Sequence, residues 1–243
     1  MSKEFRRNNN STRKRKNFSE NPFINEAKNK IFTKFSSKHF WKRIWASLET
    51  PLFYRILRKL TDGKLPQIFA RKHVRAKKGD KVLDFGCGPG DILNDLPQVE
   101  YLGYDINPAY IQDARKRFKN RGKFYTKRVE DIKTVPNGPY DIVLAKGLIH
   151  HLPDRQALHL LKIARQALAA GGRLITLDGV LIKRQSLWSR YFVLHDRGRY
   201  VRTLEAYRAL FKKEFPSPKC FVYENLLRFP YTLLIVEAST QKK

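Results

Sequence analysis

The feature that most constrains the fold is a short apolar run leading into three glycines at alternate positions, Val82-Leu83-Asp84-Phe85-Gly86-Cys87-Gly88-Pro89-Gly90. Residues Lys81 to Phe85 have the extended, apolar character of a buried strand. Glycine at every second position lets the backbone turn tightly and approach a ligand that a Cβ atom would block. The pattern predicts a strand, a ligand-binding loop and a helix from about Asp91 to Leu96, in a doubly wound α/β domain.

The glycine spacing indicates which ligand the loop favours. A dinucleotide-binding loop has the spacing Gly-x-Gly-x-x-Gly and seats a pyrophosphate on the following helix. Here the spacing is Gly-x-Gly-x-Gly, and Asp91 stands where the third dinucleotide glycine would be. A carboxylate there repels phosphate, and Asp84 adds a second negative charge near the loop. Both residues predict a ligand with a cationic group.

The stretch from Asp84 to Asp105 resembles the class I S-adenosylmethionine-dependent methyltransferases of the small-molecule and lipid type. An interval of 21 residues leads to Asp105, at the end of a second strand that starts at Glu100. The resemblance implies that the glycine loop lies beside the methionine part of S-adenosylmethionine and that Asp105 accepts the ribose hydroxyls. The implied cofactor-binding set is Asp84, Gly86, Cys87, Gly88, Gly90, Asp105, Ile106, Glu130, Asp131 and Lys146.

Later segments follow the order of this family to about Asp178. An acidic pair, Glu130 and Asp131, follows a strand-like segment, and in the family an acidic residue there usually accepts the adenine amino group. A fourth strand over Tyr140 to Lys146, a helix over Arg155 to Ala169 ended by Gly171-Gly172, and a fifth strand over Arg173 to Asp178 are expected. The resemblance implies an α/β fold with a Rossmann-like, doubly wound, seven-stranded sheet, mostly parallel, with an antiparallel C-terminal hairpin and an N-terminal helical extension.

Composition is consistent with one catalytic domain with additions. The 243 residues are 42% hydrophobic, which suffices for one core. Two cysteines, Cys87 and Cys220, provide no disulfide framework and favour a reducing compartment. The sequence has no run long enough to span a membrane, no secretory signal and no metal-ligand spacing. We therefore expect a soluble cytoplasmic protein with no metal.

The net charge of +28 predicts a negatively charged partner. Residues 1–24 are predicted to form a basic disordered tail, and residues 25–78 amphipathic helices before a methyltransferase domain at 79–243. These helices have three interpretations: they cap the cofactor site and pack on the domain, they contact an anionic membrane peripherally, or they bind RNA through phosphate contacts and stacking.

The acceptor pocket is expected to involve the stretch after the fifth strand. That stretch is dense in His, Arg and Tyr, and it resembles a group of bacterial class I methyltransferases without an assigned acceptor. Arg197, Arg199, Tyr200 and Arg202 are its candidate substrate-binding residues, because guanidinium groups suit carboxylates and phosphates. The alternative is that these arginines pair with Asp196, Glu205 or the sheet edge.

Transfer of a methyl group to a hydroxyl or amine needs alignment and removal of a proton. His150 and His151, just beyond the fourth strand, and His195 are the candidate bases. The leading hypothesis is a methyltransferase acting on an anionic small molecule, lipid or glycan intermediate. The alternatives are an RNA methyltransferase and a methyltransferase-fold assembly factor in a ribonucleoprotein, although a scaffold would not need the intact cofactor residues.

Overall fold

The computed structural model describes residues 50–196 and 198–240. Its centre is a twisted sheet with seven strands on one continuous path and a short eighth strand beside it. The strands are β1 (Lys81–Phe85), β2 (Glu100–Asp105), β3 (Lys123–Thr126), β4 (Tyr140–Lys146), β5 (Leu168–Leu181), β6 (Arg202–Thr203), β7 (Lys219–Tyr223) and β8 (Leu233–Ser239). The expected bounds of the first, second and fourth strands are confirmed residue for residue.

The strand order is β3-β2-β1-β4-β5-β8-β7, and β6 pairs with the end of β5. The strands β3, β2, β1, β4 and β5 run parallel, while β8 runs antiparallel to β5 and forms a hairpin with β7. The fold class expected from the sequence is confirmed. The reversal of strand order between β1 and β4 places a crevice at their carboxyl ends, where open α/β sheets bind ligands.

Helices cover both faces of the sheet. They are α1 (Pro51–Thr61), α2 (Leu65–Ile68), α3 (Pro108–Phe118), α4 (Asp154–Ala167), α5 (Leu187–Leu194) and α6 (Leu204–Lys212), and α2 continues as a π-helical turn over Phe69–Val74. Successive strand residues point to opposite faces, so Leu83 packs in one apolar core and Val82 in the other.

Two local expectations were wrong. The segment after the glycine loop forms only a 3₁₀ turn over Asp91–Asn94, because Leu96 precedes a proline and proline disfavours helical geometry in the residue before it. The helix expected to run to the paired glycines ends at Ala167, and Gly172 instead lies within β5. A Cβ atom on Gly172 would stand 2.8 Å from the carbonyl oxygen of Tyr140, so only glycine allows this close strand pairing.

The tail over residues 1–24 and the predicted helices over 25–49 lie outside the described residues. The rest of the predicted extension does form helices, and its Leu65, Phe69 and Val74 are buried in the core that contains Val82. Within residues 50–196 and 198–240, no helix combines the length and the apolar character that crossing a bilayer requires.

Candidate active site

The glycine loop turns around the end of β1 and is anchored to β2. Gly86, Gly88 and Gly90 have φ values of 70°, 54° and 75°, which side chains rarely adopt. The backbone N–H groups of Gly86 and Cys87 both donate to the carbonyl oxygen of Tyr104, at 2.8 and 3.0 Å. A Cβ atom on Gly88 would meet nothing within 4 Å, so one side of the loop is open to a ligand.

The Cys87 side chain points away from this open side. A Cβ atom on Gly103, in the middle of β2, would stand 2.8 Å from the Cys87 Sγ atom. The thiol is thus packed against β2, and burial raises its pKa well above the ordinary value. If Cys87 touches a cofactor, as the family resemblance implies, the contact comes from its backbone.

Asp105 ties the end of β2 to the glycine loop. Its Oδ2 atom accepts a hydrogen bond from the backbone N–H of Gly88, and its Oδ1 atom from that of Asn107, both at 2.8 Å. Asn107 also caps α3, since its side chain accepts from two backbone N–H groups of the first turn. The next residue, Ile106, is 56% exposed at the same edge. The carboxylate is held rigidly at the rim of the loop, with an apolar surface beside it.

Beneath the loop lies a buried acid, Asp84, that is 3% exposed. The hydroxyl of Tyr101 donates to its Oδ2 atom at 2.6 Å, whereas its Oδ1 atom has no hydrogen-bond partner within residues 50–196 and 198–240. Burial raises the pKa of Asp84 to about 7. An orphaned carboxylate oxygen at a strand end is costly, which indicates that this atom serves a ligand.

Lys146 ends β4, next to Asp84 on β1. Burial is the largest influence on its amino group and lowers the pKa to about 8, while the negative charge of Asp84 acts in the opposite direction. The amino nitrogen lies 5.7 Å from the centre of the Phe69 ring. One acid and one amine with pKa values close to neutrality therefore lie together below the glycine loop.

Asp91 does not offer an unbalanced negative charge to a ligand, contrary to the expectation from the sequence. Its carboxylate forms an ion pair with Arg117 at 2.6 Å, and Arg117 also lies 3.3 Å from Asp113. The charge of Asp91 is thus already balanced within the protein. The negative charge available to a cationic ligand comes from Asp84 and Asp105 instead.

Glu130 and Asp131 lie at the same edge of the sheet, in a 3₁₀ turn that follows β3. Both side chains are exposed. Glu130 accepts a hydrogen bond from Gln156 at 3.3 Å, and the backbone N–H of Lys127, just before the turn, donates to the carbonyl oxygen of Asp105. The adenine contact of Glu130 or Asp131 stays a prediction.

Beyond β4 and β5, the structure brings together a buried histidine and two carboxylates. His150 Nδ1 lies 2.8 Å from Asp178 Oδ1, and the backbone N–H of His150 donates to the same oxygen at 3.1 Å. The other ring nitrogen, Nε2, lies 3.8 Å from Asp196 Oδ2, which accepts a short hydrogen bond from the Tyr231 hydroxyl. The imidazole is therefore fixed in orientation and flanked by acids.

Three of these residues were missed as site residues in the sequence: Asp178, Asp196 and Tyr231. Asp178 lies in the C-terminal half of β5, and the rule that ligands lie beyond the carboxyl ends of parallel strands could have identified it. Asp196 and Tyr231 have no such signal, because only the folded chain brings them to His150.

The other candidate bases differ from His150 in environment. The His151 ring is partly buried and lies 4.3 Å from the His150 ring, centre to centre. His195 is exposed, its Nδ1 atom lies 2.8 Å from the carbonyl oxygen of Tyr191, and its ring stacks on that tyrosine. His150 differs from both in its hydrogen bond to the buried carboxylate of Asp178.

The four candidate substrate residues also differ in what they contact. Arg202 donates to Asp154 and to the carbonyl oxygens of Ile149, Leu152 and Tyr200. Its guanidinium therefore fixes the segment after β4, which agrees with the pairing alternative, although the partner differs from those expected. Arg199 and Tyr200 are exposed, and Arg197 lies outside the described residues.

Within residues 50–196 and 198–240, no group of three His, Cys, Asp or Glu side chains could hold a metal ion. A cavity of about 370 Å³ lies on the α1 side of the glycine loop, and both Lys146 and Asp91 line it. The site thus has two regions, one around the glycine loop and one around His150.

Comparison with known proteins identifies this arrangement. Residues 83–174 match the family model of a methyltransferase domain. The chain is 31% identical over 115 residues to 27-O-demethylrifamycin SV methyltransferase of Amycolatopsis mediterranei, covering 44% of this chain and 41% of that protein. It spans about half the length, or less, of the curated relatives that it matches.

Solved structures agree in fold. A TehB-like SAM-dependent methyltransferase from Corynebacterium glutamicum is similar with a TM-score of 0.52 and 18% identity, covering 71% of this chain and 86% of that one. Phosphoethanolamine N-methyltransferase 2 of Haemonchus contortus, in complex with phosphomonomethylethanolamine and S-adenosylhomocysteine, has a TM-score of 0.59 and 16% identity, covering 72% and 52%.

The sheet order, the glycine loop with Asp105 and the matched domain define a Rossmann-like methyltransferase. Residues 83–174 match a methyltransferase domain, and the fold agrees with the class I S-adenosylmethionine-dependent methyltransferases that the sequence resembles. S-Adenosylmethionine is the cofactor of this family. The residues present suit it, because the orphaned Asp84 oxygen can accept from an ammonium group and the open side of Gly88 leaves room for a ligand.

Proposed function

We propose that this protein transfers a methyl group from S-adenosylmethionine to a hydroxyl or amine of an anionic small molecule, lipid or glycan. The observation that carries the proposal is the pair formed by His150, which follows β4, and Asp178, near the carboxyl end of β5. A protein that only binds ligands would not need a buried imidazole held in one orientation. An enzyme that removes a proton from its acceptor does need such a group.

Within this proposal, the strand ends around the loop hold the cofactor. Asp105 accepts the ribose hydroxyls, Ile106 packs against the adenine, and Glu130 or Asp131 accepts its amino group. Asp84 and the loop backbone hold the methionine end, with Lys146 beside them. When bound, S-adenosylmethionine supplies an activated methyl group on its sulfonium.

His150 acts as the general base. Asp178 accepts a hydrogen bond from Nδ1–H, and this tautomer carries its lone pair on Nε2, the nitrogen 3.8 Å from Asp196. When Nε2 takes the acceptor's proton, the imidazole becomes positively charged, and Asp178 stabilises that charge. The Tyr231 hydroxyl donates to Asp196 and so fixes the carboxylate on the other side of the ring. His151 and His195 then have supporting roles at most.

An anionic acceptor would be recognised by the exposed Arg199 and Tyr200, and by Arg197. Arg202 supports this set from behind, since it anchors the backbone of Tyr200 at 2.9 Å. The basic residues of segment 1–78 would keep the protein near an anionic partner, and we place the protein in the cytoplasm, peripherally at the membrane.

The second candidate is an RNA methyltransferase, which the net charge of +28 favours. The two functions differ in where a labelled methyl group arrives. We would incubate the full chain with methyl-labelled S-adenosylmethionine and separate small-molecule, lipid and RNA fractions of a cell extract. We expect label in a small-molecule or lipid fraction, and label confined to RNA would refute the leading proposal.

Two variants test the base. His150→Ala should lower transfer by about 10²- to 10⁴-fold, the usual contribution of a general base, while calorimetry shows unchanged affinity for S-adenosylmethionine. His159→Ala is the matched control, because the His159 ring lies on α4, where its Nε2 atom is 3.1 Å from the carbonyl oxygen of Ile132. Equal transfer by both variants would rule out His150 as the base.

A further inference from the structure

The exposed large apolar side chains of the described chain are concentrated on two helices. Of ten such residues, four lie on α1 and three on α5. They are Leu52, Phe53, Ile56 and Leu60 on α1, and Leu187, Trp188 and Leu194 on α5. Water contact with so many large apolar groups is unfavourable, and clusters of this kind mark interaction surfaces.

The helix α5 has a clear inner and outer side. Ser189 and Val193, four residues apart, are 2% and 0% exposed and face the domain. Leu187 is 84% exposed, Trp188 50% and Leu194 55% on the outer side. The outer side is therefore apolar although it faces solvent, which is the reverse of the usual arrangement on a surface helix.

Positive charge surrounds these apolar residues. Lys183, Arg184 and Arg190 are exposed, and residues 179–195 contain no Asp or Glu. Trp and Leu interleaved with Lys and Arg are typical of helices that lie in the interface of an anionic bilayer. RNA would engage the cations but would leave the aliphatic side chains of Leu187 and Leu194 without a partner.

The outer face of α1 continues this surface. Leu52, Ile56 and Leu60 recur every four residues and so form one stripe. Both helices are joined through one segment: the carbonyl oxygen of Thr61, at the end of α1, accepts from the backbone N–H of Arg228, and the Phe192 ring of α5 contacts the adjoining Phe229 at 5.4 Å. The two apolar faces therefore flank the same strip of chain.

The acceptor site lies directly behind α5. The Ser189 hydroxyl is hydrogen bonded to that of Thr232 at 2.6 Å, next to Tyr231 in sequence. Two residues past the end of α5, Asp196 lies 3.8 Å from His150 Nε2. The inner side and the C-terminal end of α5 are therefore next to the residues around the proposed base.

We propose that the outer faces of α5 and α1 form a docking surface for an anionic lipid bilayer, and that the acceptor is an amphiphile held in it. The proposal rests on the methyltransferase function above and narrows its acceptor to the lipid class. The leucines and Trp188 enter the interface, and the cations contact lipid headgroups.

The test is sedimentation of the full chain with vesicles of neutral phosphatidylcholine, with and without about 30% anionic phosphatidylglycerol. We expect binding to the anionic vesicles only. The variant Lys183→Glu/Arg184→Glu/Arg190→Glu should bind at least about tenfold more weakly, since each cation near an anionic surface contributes to attraction.

A matched control removes the same charge elsewhere. Lys119→Glu/Lys123→Glu/Lys133→Glu alters three exposed cations on the β3 side of the sheet, at the other end from the β8–β7 hairpin. This control should keep vesicle binding within about threefold, because only cations near the bilayer contribute strongly. Equal losses in both variants would mean that only total charge matters, and would overturn the proposal.

Tryptophan fluorescence reports insertion directly. The chain has three tryptophans, and Trp41→Phe/Trp45→Phe leaves Trp188 alone. We expect its emission to shift to shorter wavelength with anionic vesicles and to be quenched by lipids with brominated acyl chains. An unchanged spectrum on vesicles that bind the protein would refute docking through α5. Docking would also be refuted if the variant Lys183→Glu/Arg184→Glu/Arg190→Glu lost binding to RNA but kept binding to vesicles.

Affinity for S-adenosylmethionine separates the two proposals. The charge variant Lys183→Glu/Arg184→Glu/Arg190→Glu changes no residue of the cofactor site. Calorimetry should therefore give this variant the wild-type dissociation constant for S-adenosylmethionine. Intact cofactor binding without vesicle binding would reject the docking surface alone. Absence of cofactor binding in the wild type would reject the proposed function.

Discussion

Replacement of Asp84 by asparagine is the sharpest test of the site, because it should improve stability while weakening cofactor binding. Burial raises the pKa of Asp84 from its ordinary value of 3.8 to about 7. The folded chain therefore keeps a proton that the unfolded chain releases, and stability falls as pH rises from about 4 to about 7. Above pH 7 the destabilisation is complete. The amide introduced by Asp84→Asn carries no charge and would escape this loss.

The expected gain in stability follows from the shift in the pKa of Asp84. About three pH units, at 1.36 kcal/mol each, correspond to roughly 4 kcal/mol. Part of this gain is lost, because Lys146 is also buried and is attracted by the Asp84 charge. We therefore expect the variant to gain about 2 to 3 kcal/mol over the wild type between pH 4.5 and pH 8.5.

Urea unfolding at several pH values measures this gain. Asp141→Asn removes the same charge from an exposed position on β4 and corrects for changes in net charge. If the difference between Asp84→Asn and the wild type changes by less than about 0.5 kcal/mol over this pH range, the burial argument is wrong. Affinity for S-adenosylmethionine should fall by about 10- to 100-fold, the value of one charged hydrogen bond.

Three further outcomes follow from the contacts. Asp105→Ala should weaken S-adenosylmethionine binding by about 100-fold or more in calorimetry, since a carboxylate that accepts two hydroxyls is lost; undiminished affinity would exclude it from the site. Gly103→Ala should destabilise the chain by about 1 to 3 kcal/mol in urea unfolding, because the added Cβ would stand 2.8 Å from Cys87 Sγ, and Cys87→Ala should recover part of the loss. Arg202→Lys should cost about 1 to 3 kcal/mol, because an ammonium cannot bond Asp154 and three carbonyl oxygens together; an unchanged unfolding midpoint would contradict a structural role.

The cofactor half of the site was predictable because its signals are local. A buried strand, a glycine loop and an acid at the next strand end all fall between Lys81 and Asp105, and each has a physical reason that can be found in a few residues. The wrong prediction in this half of the site concerned the charge of one residue. Asp91 was expected to face the ligand, but its charge is balanced by Arg117, 26 residues away on α3.

The prediction of secondary structure from sequence was wrong where a tertiary contact overrides a local preference. The sequence from Arg155 is helical in pattern, yet the chain leaves the helix at Ala167 and enters β5 before the paired glycines. The cause is the pairing of Leu168 with Tyr140, which begins β5 ahead of a register shift. Such a pairing depends on a strand that lies well outside the local stretch of sequence, so no window of local pattern contains it.

The acceptor half is built by close approaches between distant segments, and this explains why the sequence leaves it open. A Cβ atom on Gly198 would stand 2.0 Å from the His150 ring, and one on Gly179 would stand close to the Tyr231 hydroxyl. Two glycines thus let the chain after α5 and the chain before β8 close around one imidazole. The donor site is fixed by a motif that many sequences share, whereas the acceptor site is fixed by packing particular to this chain. The helix α5 contacts the segment before β8, leads into the segment after it, and presents apolar residues to solvent. Identification of the molecule that covers α5 would therefore also identify the class of acceptor.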